Sequence, residues 1–191
     1  MGYFPLCIDL QKAEVLLIGR GPQIDEKLCK LKTFGATLLQ AEEMTEALLS
    51  RNPAFVIVGD LEYEKAAQIS HLCKAHRIPV NVVDTPELCT FFFPSLITRG
   101  SLTVSLSTGG KSPAAAAYLR RQLQQQLPDK TDAILDWLQE TRYYLRQAYP
   151  NLSHRSVLRN ATELAFSQNR PLTEAELQQL ICKEQPLMDT P

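Results

Sequence analysis

The chain has no apolar run approaching the length of a membrane-spanning helix, and no basic stretch ahead of an apolar core at its start. Neither a spanning segment nor a secretory leader is expected. It also lacks any C-x-x-C pair. Its five cysteines, Cys7, Cys29, Cys73, Cys89 and Cys182, are scattered and odd in number. A disulfide scaffold and a structural zinc site both fit that pattern badly, whereas reduced thiols in a cytoplasm fit it well. Charge of one sign is missing too: the formal net charge is −1 and the pI about 6.3. No nucleic-acid partner is expected from such a balance. No internal repeat is visible.

What is present is enough apolar residue, 45% of 191 positions, to bury one good core and leave a small second unit. One segment departs from charge balance. Between Lys111 and Arg159 eight basic residues (Lys111, Arg120, Arg121, Lys130, Arg142, Arg146, Arg155 and Arg159) face four acidic ones, Asp129, Asp132, Asp136 and Glu140. The excess is about +4, either solvated helix faces or a surface for an acidic ligand.

Hydrophobic periodicity alternates strand with helix over the first half. Strands are expected at 14–18, 37–40, 54–58 and 80–83, and helices at 24–34, 44–50 and 63–76. Gly35 stands where a helix C′ glycine would. Continuous apolar runs such as Phe55-Val56-Ile57-Val58 suit parallel strands covered on both faces. The order predicts an α/β fold, a Rossmann-type doubly wound parallel sheet. From Thr85 the pattern changes: 91–94 and 102–106 read as strands, the second with Thr103 and Ser105 outward. Ser112-Pro113 then opens a helical region. Helices are expected at 114–127, 131–148 and 153–166, with a last short one begun by the capping box Thr173-Glu174-Ala175-Glu176. The division is drawn near Lys111. Residues 1–111 form the sheet domain with a short β extension at about 85–111, and 112–191 form the helical region. Residues 183–191 read as a frayed terminus.

Within this frame Val15-Leu16-Leu17-Ile18-Gly19-Arg20-Gly21 is an apolar strand breaking into a G-x-G turn before a helix. Such a turn offers a pyrophosphate close backbone approach and a helix N-terminus. The third small residue of the fingerprint is replaced by Ile24, whose side chain is expected to hold the helix off the strand. Pro22 removes one backbone donor, and Asp60, after the third strand, would set a carboxylate near a bound phosphate. At the end of the second strand Gln40 could bond an adenosine ribose, and Glu42 lies at about the usual twenty-residue distance from the glycines. His71, Cys73 and His76 share one predicted helix, but Cys73 and His76 alone on one face make no metal site. No resident metal is expected.

Five segments in order resemble the siroheme synthase N-terminal family. They are Phe4-Pro5-Leu6-Cys7-Ile8-Asp9-Leu10, Leu17-Ile18-Gly19-Arg20-Gly21, Asn81-Val82-Val83-Asp84-Thr85-Pro86, Phe92-Phe93-Pro94-Ser95-Leu96-Ile97 and Ser107-Thr108-Gly109-Gly110-Lys111-Ser112-Pro113. The resemblance implies an NAD-dependent precorrin-2 dehydrogenase yielding sirohydrochlorin, in some members also a ferrochelatase handling Fe2+ or Co2+ transiently. It further implies a homodimer that binds its tetrapyrrole between sheet domain and helical region. Asp84 matches the family's catalytic aspartate. The cofactor-facing residues would be Gly19, Arg20, Gly21, Pro22, Gln23, Gln40, Gly59, Asp60 and Val83. Substrate would meet Asn81, Pro94, Ser95, Thr108, Gly109, Gly110, Lys111 and Arg120, with Arg99 and Arg121 as further partners for its carboxylates. Read by chemistry alone, Asp84-Thr85-Pro86 is a turn in which Asp caps its own backbone, and Thr108–Lys111 is equally an ordinary strand-to-helix loop. Pro22, Ile24 and Asp60 leave a second function open, a tetrapyrrole-binding or chelatase-only relative without NAD chemistry.

Overall fold

The computed structural model describes residues 4–184, in two compact units, Phe4–Phe93 and the chain from Pro94 onward. In the first unit four parallel strands, β1 (Glu14–Ile18), β2 (Thr37–Ala41), β3 (Phe55–Val58) and β4 (Val80–Val82), lie in the order β2-β1-β3-β4. Helices α1 (Pro22–Thr33), α2 (Glu46–Leu49) and α3 (Tyr63–Ala75) connect them. Alternate side chains of each strand feed opposite faces. Leu16, Ile18, Val56 and Val58 pack with Leu49 of α2 and with Ala66, Ile69 and Cys73 of α3. Val15, Leu17, Phe55 and Ile57 pack with Ile24 and Leu31 of α1. The doubly wound sheet is therefore as expected, and β1 matches its predicted bounds. Near Gly35 the chain turns at φ +80°, with the Gly35 N–H bonded to Lys32 O and Ala36 N–H to Leu31 O.

Two expectations need correction here. Residues 91–94 form no strand. The rings of Phe91 and Phe93 instead pack on Phe55 of β3, with centroids 5.0 and 6.1 Å away. An apolar run this short cannot be told from a strand by pattern, and here burial against the sheet face is what it serves. The division also falls at Phe93/Pro94 instead of near Lys111. The antiparallel pair β5 (Ser95–Arg99) and β6 (Leu102–Leu106) packs with α4 (Pro113–Gln126), so the strands intended as an extension of the sheet domain belong with the helices.

The rest of the second unit is α5 (Thr131–Ala148), α6 (His154–Gln168) and α7 (Glu174–Glu184), packed through Ile134, Leu145, Val157, Ala161, Leu177 and Ile181. The capping box forms: the Thr173 N–H reaches Glu176 Oε2 at 2.8 Å and the Glu176 N–H reaches Thr173 Oγ1 at 3.3 Å. Arg170 on Glu176 adds to this and holds that carboxyl at about 2. Lys183 and Glu184 are not frayed but close α7, where Ser156 Oγ donates to Glu184 Oε1 at 2.6 Å. The remainder of that predicted tail, 185–191, lies outside the described residues. Arg99, a candidate for substrate carboxylates, is occupied: its guanidinium bonds Pro128 O at 2.9 Å and Gln124 O at 3.3 Å, closing the C-terminal end of α4.

Candidate functional site

A parallel sheet gathers the carboxyl ends of its strands along one edge, and ligands of open α/β sheets bind outside that edge where the strand order reverses. Here the reversal lies between β1 and β3. The turn Gly19–Gly21 follows β1, Glu42 follows β2, Gly59-Asp60 follows β3 and Val83-Asp84 follows β4, so most predicted residues of the first unit meet at that edge. Backbone bonds fix the register: Gly19 N–H to Ala41 O (2.9 Å), Gly59 N–H to Ile18 O (2.8 Å), Asp60 N–H to Arg20 O (3.1 Å) and Val83 N–H to Val58 O (3.0 Å).

The glycines are required by conformation. Gly19 sits at φ +83° and Gly21, the N-cap of α1, at φ 139° and ψ 154°, a region closed to side chains. Pro22 takes the first helical position, where its missing N–H would be an orphan in any case. Ile24, expected to push α1 away, is fully buried beneath the turn. Space for it comes from Gly59, directly after the neighbouring strand β3. A Cβ on Gly59 would lie 2.4 Å from Ile24 Cδ1 and 2.7 Å from Arg20 O. The small residue usually carried by the helix thus stands instead at Gly59, directly after β3.

Charges surround the turn. The Arg20 guanidinium bonds the Glu42 carboxylate at 2.5 Å, and Gln40 Nε2 donates to Gly19 O at 3.3 Å. Asp60 is exposed beside Gly21, whose built Cβ would lie 3.7 Å from Asp60 Cβ. Asp84 occupies a turn at φ +56°, a conformation Asp tolerates better than most residues, and accepts a 2.8 Å hydrogen bond from Gln23 Nε2. Asp84 therefore lies in a turn, as its residue chemistry alone leads one to expect.

Lys27 is the residue that sequence reasoning missed. Its ammonium donates to Asn81 Oδ1 at 3.0 Å and lies 5.4 Å from the centroid of the Phe93 ring. Burial pulls its pKa below the usual lysine value, opposed by the nearby Cys89 and Asp84. The available signal was a lysine three residues after Ile24 and four before Leu31, on the stripe that packs inward. Asn81 is itself buried, its amide nitrogen donating to Phe91 O at 3.1 Å. It fixes the aromatic segment to β4, a shaping role. Cys89 is raised above the usual thiol value by burial and is bonded by the Val82 N–H at 3.2 Å.

The other predicted substrate residues belong to the second unit. Pro94 and Ser95 lead into β5. Gly109 and Gly110 adopt φ +63° and +81° with open space around both. Much of the loop's donor capacity is spent internally: Gly109 N–H on Ser107 Oγ, Lys111 N–H on Thr108 O, and Ser112 N–H on Thr108 Oγ1, each at 3.2 Å. Ser112 Oγ caps α4 through the Ala115 N–H at 3.1 Å. The exposed Lys111 ammonium is the charge this loop presents. Arg120 donates to Gln124 Oε1 at 3.2 Å along its own helix. A groove of about 270 Å³ between α5 and α7 is flanked by Glu140 and Glu174, which ill suits a polycarboxylate. Of the three metal-ligand candidates, Cys73 is fully buried in the core with its thiol pushed up to about 11, while His71 and His76 are exposed. Among the described residues no group of three or more His, Cys, Asp or Glu could hold a metal ion, and no helix is long and apolar enough to cross a membrane.

Similarity to known proteins extends over both units. Residues 37–95 match a family model described as "Putative NAD(P)-binding" and residues 99–126 one described as "Sirohaem biosynthesis protein central". The first match begins after the glycine turn. A siroheme synthase of Tolumonas auensis is 31% identical over 207 residues, covering 99% of this chain and 44% of that protein. Another, of Methylococcus capsulatus, is 29% identical over 170 residues, covering 78% and 36%. The chain spans about two fifths of the length of these relatives. The solved structure of "SirC, precorrin-2 dehydrogenase" superposes with a TM-score of 0.64 at 18% identity, over 95% of this chain and 98% of that one, a likeness of fold.

The contact between Ile24 and Gly59 is directly testable. Gly59→Ala should destabilise the protein by about 1–3 kcal/mol in urea unfolding, because the new methyl meets Ile24 and the Arg20 carbonyl. Combining it with Ile24→Ala should cost less than the sum of the two single changes. Additive costs, or an unchanged midpoint for Gly59→Ala, would refute the contact.

Proposed function

For this chain, which belongs to the siroheme synthase family, we propose NAD-dependent oxidation of precorrin-2 to sirohydrochlorin. The observation that carries the reading is the pair of left-handed glycines at the carboxyl edge of the sheet, with Asp84 held beside them by Gln23. A dinucleotide fits these residues: Gly19 and Gly21 let backbone approach a pyrophosphate, the α1 N-terminus faces it, and Gln40 and Glu42 stand at the end of β2 where an adenosine ribose is held. When bound, the nicotinamide supplies the hydride acceptor.

The chain's own residues supply the rest. Loss of two hydrogens from the macrocycle sends one away as hydride and one as a proton, and Asp84 takes the proton. Gln23 orients the Asp84 carboxylate by its 2.8 Å bond. Lys27, bonded to Asn81 Oδ1 at 3.0 Å, sets a positive charge close to that carboxylate. Lys111 and the basic side chains of α4 to α6 would meet the carboxylates of the tetrapyrrole. A homodimer belongs to the same proposal, since α4 buries none of its residues and exposes Tyr118, Leu119 and Leu123. So does a cytoplasmic setting, in which five free thiols stay reduced.

A second reading has its own support. Asp60 beside the turn disfavours a phosphate-bearing ligand, as a tetrapyrrole-binding or chelatase-only relative would allow. With iron or cobalt as substrate, Asp84 would then accept pyrrole protons.

Asp84→Ala separates the roles. Turnover of precorrin-2 with NAD should fall by at least about a hundredfold, the usual contribution of a general base, while tetrapyrrole affinity by fluorescence quenching stays within a few-fold. Persisting turnover would remove Asp84 from the chemistry. A wild-type protein that binds tetrapyrrole without oxidising it would favour the second reading.

A further inference from the structure

Resting on the reading of Asp84 as proton acceptor, we propose that Lys27 is a positioning residue. Through Asn81 it holds the returning end of the loop that carries Asp84, and so sets where that carboxylate stands. Gln23 and Lys27 are four apart on α1 and share one face of the helix. Gln23 Nε2 donates to Asp84 Oδ2 at 2.8 Å, and Lys27 Nζ donates to Asn81 Oδ1 at 3.0 Å. The helix packs on β1 and β3, while β4 lies one strand further out, a distance that a long side chain covers.

Asn81 stands where a covered parallel strand ordinarily carries an apolar residue. It pairs in register with Ile57, is buried, and lies on the sheet face that packs with Ile24 and Leu31. An amide in such a layer has to find partners for both its ends. Its oxygen takes the Lys27 ammonium, while its nitrogen donates to Phe91 O at 3.1 Å and lies 3.6 Å from Cys89 Sγ. Only one orientation of the amide satisfies both partners, since reversal would set its nitrogen against the ammonium. The neighbouring residues tie the same segment to the free edge of β4. Thr90 N–H bonds Val80 O and Val80 N–H bonds Thr90 Oγ1, both at 2.8 Å, and Val82 N–H meets Cys89 Sγ at 3.2 Å. Residues 83–88, Asp84 among them, thus form a loop closed on β4 at its far end.

A lysine is a costly choice for packing alone. The side chain is half-buried, with Nζ 5.4 Å from the centroid of the Phe93 ring. An apolar residue would fill that space without taking a charge out of water. What the ammonium adds is a charge-assisted hydrogen bond, stronger than a neutral donor gives. That bond fixes the Asn81 amide, the amide fixes Phe91, and the loop returns to a set position with Asp84 gripped from the other side by Gln23.

Steady-state kinetics of the full chain with precorrin-2 and NAD+, beside amide NMR of the unliganded protein, tests this. Lys27→Met keeps the stem and removes the charge. It should lower kcat by about tenfold or more, up to the hundredfold that a misplacement of about 1 Å costs. Both KM values should stay within about threefold, and the amide signals of Asp84 and Phe91 should shift without any ligand. Lys27→Arg, which keeps a charged donor, should recover most of the lost kcat. Asn81→Ala opens the clasp from its other side and should lower kcat by a similar factor, the double variant losing little more than either. A residue needed only for folding would leave kcat per folded molecule untouched. A kcat within about twofold of wild type in whichever single variant folds, a rise in KM alone, or unmoved Asp84 and Phe91 signals would overturn the proposal. Wild-type kcat in Lys27→Met beside lost turnover in Asp84→Ala would overturn this proposal alone; turnover surviving Asp84→Ala would overturn the reading it rests on.

Discussion

Ile24 needs the volume that any side chain on residue 59 would fill, and the architecture of the ligand edge follows from that exchange. In a Rossmann-type crossing the first helix must lie close to the strands it covers, which ordinarily requires a small residue on the helix. Here the helix carries a large apolar residue at that position, fully buried, and the residue directly after β3 is a glycine that leaves room for it. The Arg20 backbone also lies against Gly59, so the same bare carbon seats the helix and the phosphate-type turn together. Burial of Ile24 contributes apolar contact on the order of 2 kcal/mol, so the arrangement adds stability where a smaller residue would add little.

Around that seat the chain arranges polar groups whose charges nearly cancel. Arg20 faces Glu42, Lys27 feels Asp84 and bonds Asn81, and Gln23 spans from the first turn of α1 to Asp84. Residues from three separate stretches converge because all four strands are parallel and deliver their carboxyl ends to one side. The Asp84 carboxylate stands in a left-handed turn and is held by the Gln23 amide. Asp60 is exposed at this edge, and its proximity to Gly21 follows from ending β3 in a tight Gly59-Asp60 turn.

Much of this was legible in the sequence because it is local. The bounds of β1, the C′ role of Gly35, the Ser112 cap and the Thr173–Glu176 box each depend on neighbours within a few residues. The misreadings share an opposite origin. Whether Phe91-Phe92-Phe93 forms a strand depends on a partner strand, and the rings of Phe91 and Phe93 instead find Phe55, thirty-odd positions earlier. Arg99 looked free because the carbonyls it closes belong to residues 124 and 128. Ile24 looked like damage to a motif because Gly59 lies 35 positions away and nothing in a linear pattern couples them. Lys27 went unread since a single lysine on an apolar stripe is ordinarily a snorkelling side chain. The strand pair at 95–106 was assigned to the wrong unit because its packing partner, α4, follows it in sequence.

The central claim is that the relocated glycine arrangement still receives a dinucleotide at the carboxyl edge of the sheet. Backbone amide NMR shifts during titration with NAD+ test it residue by residue. The account predicts saturable changes concentrated at Gly19, Gly21, Gln23, Gln40 and Gly59, with Asp84 responding through Gln23. Changes scattered over the surface, or none at a large excess of NAD+, would contradict it.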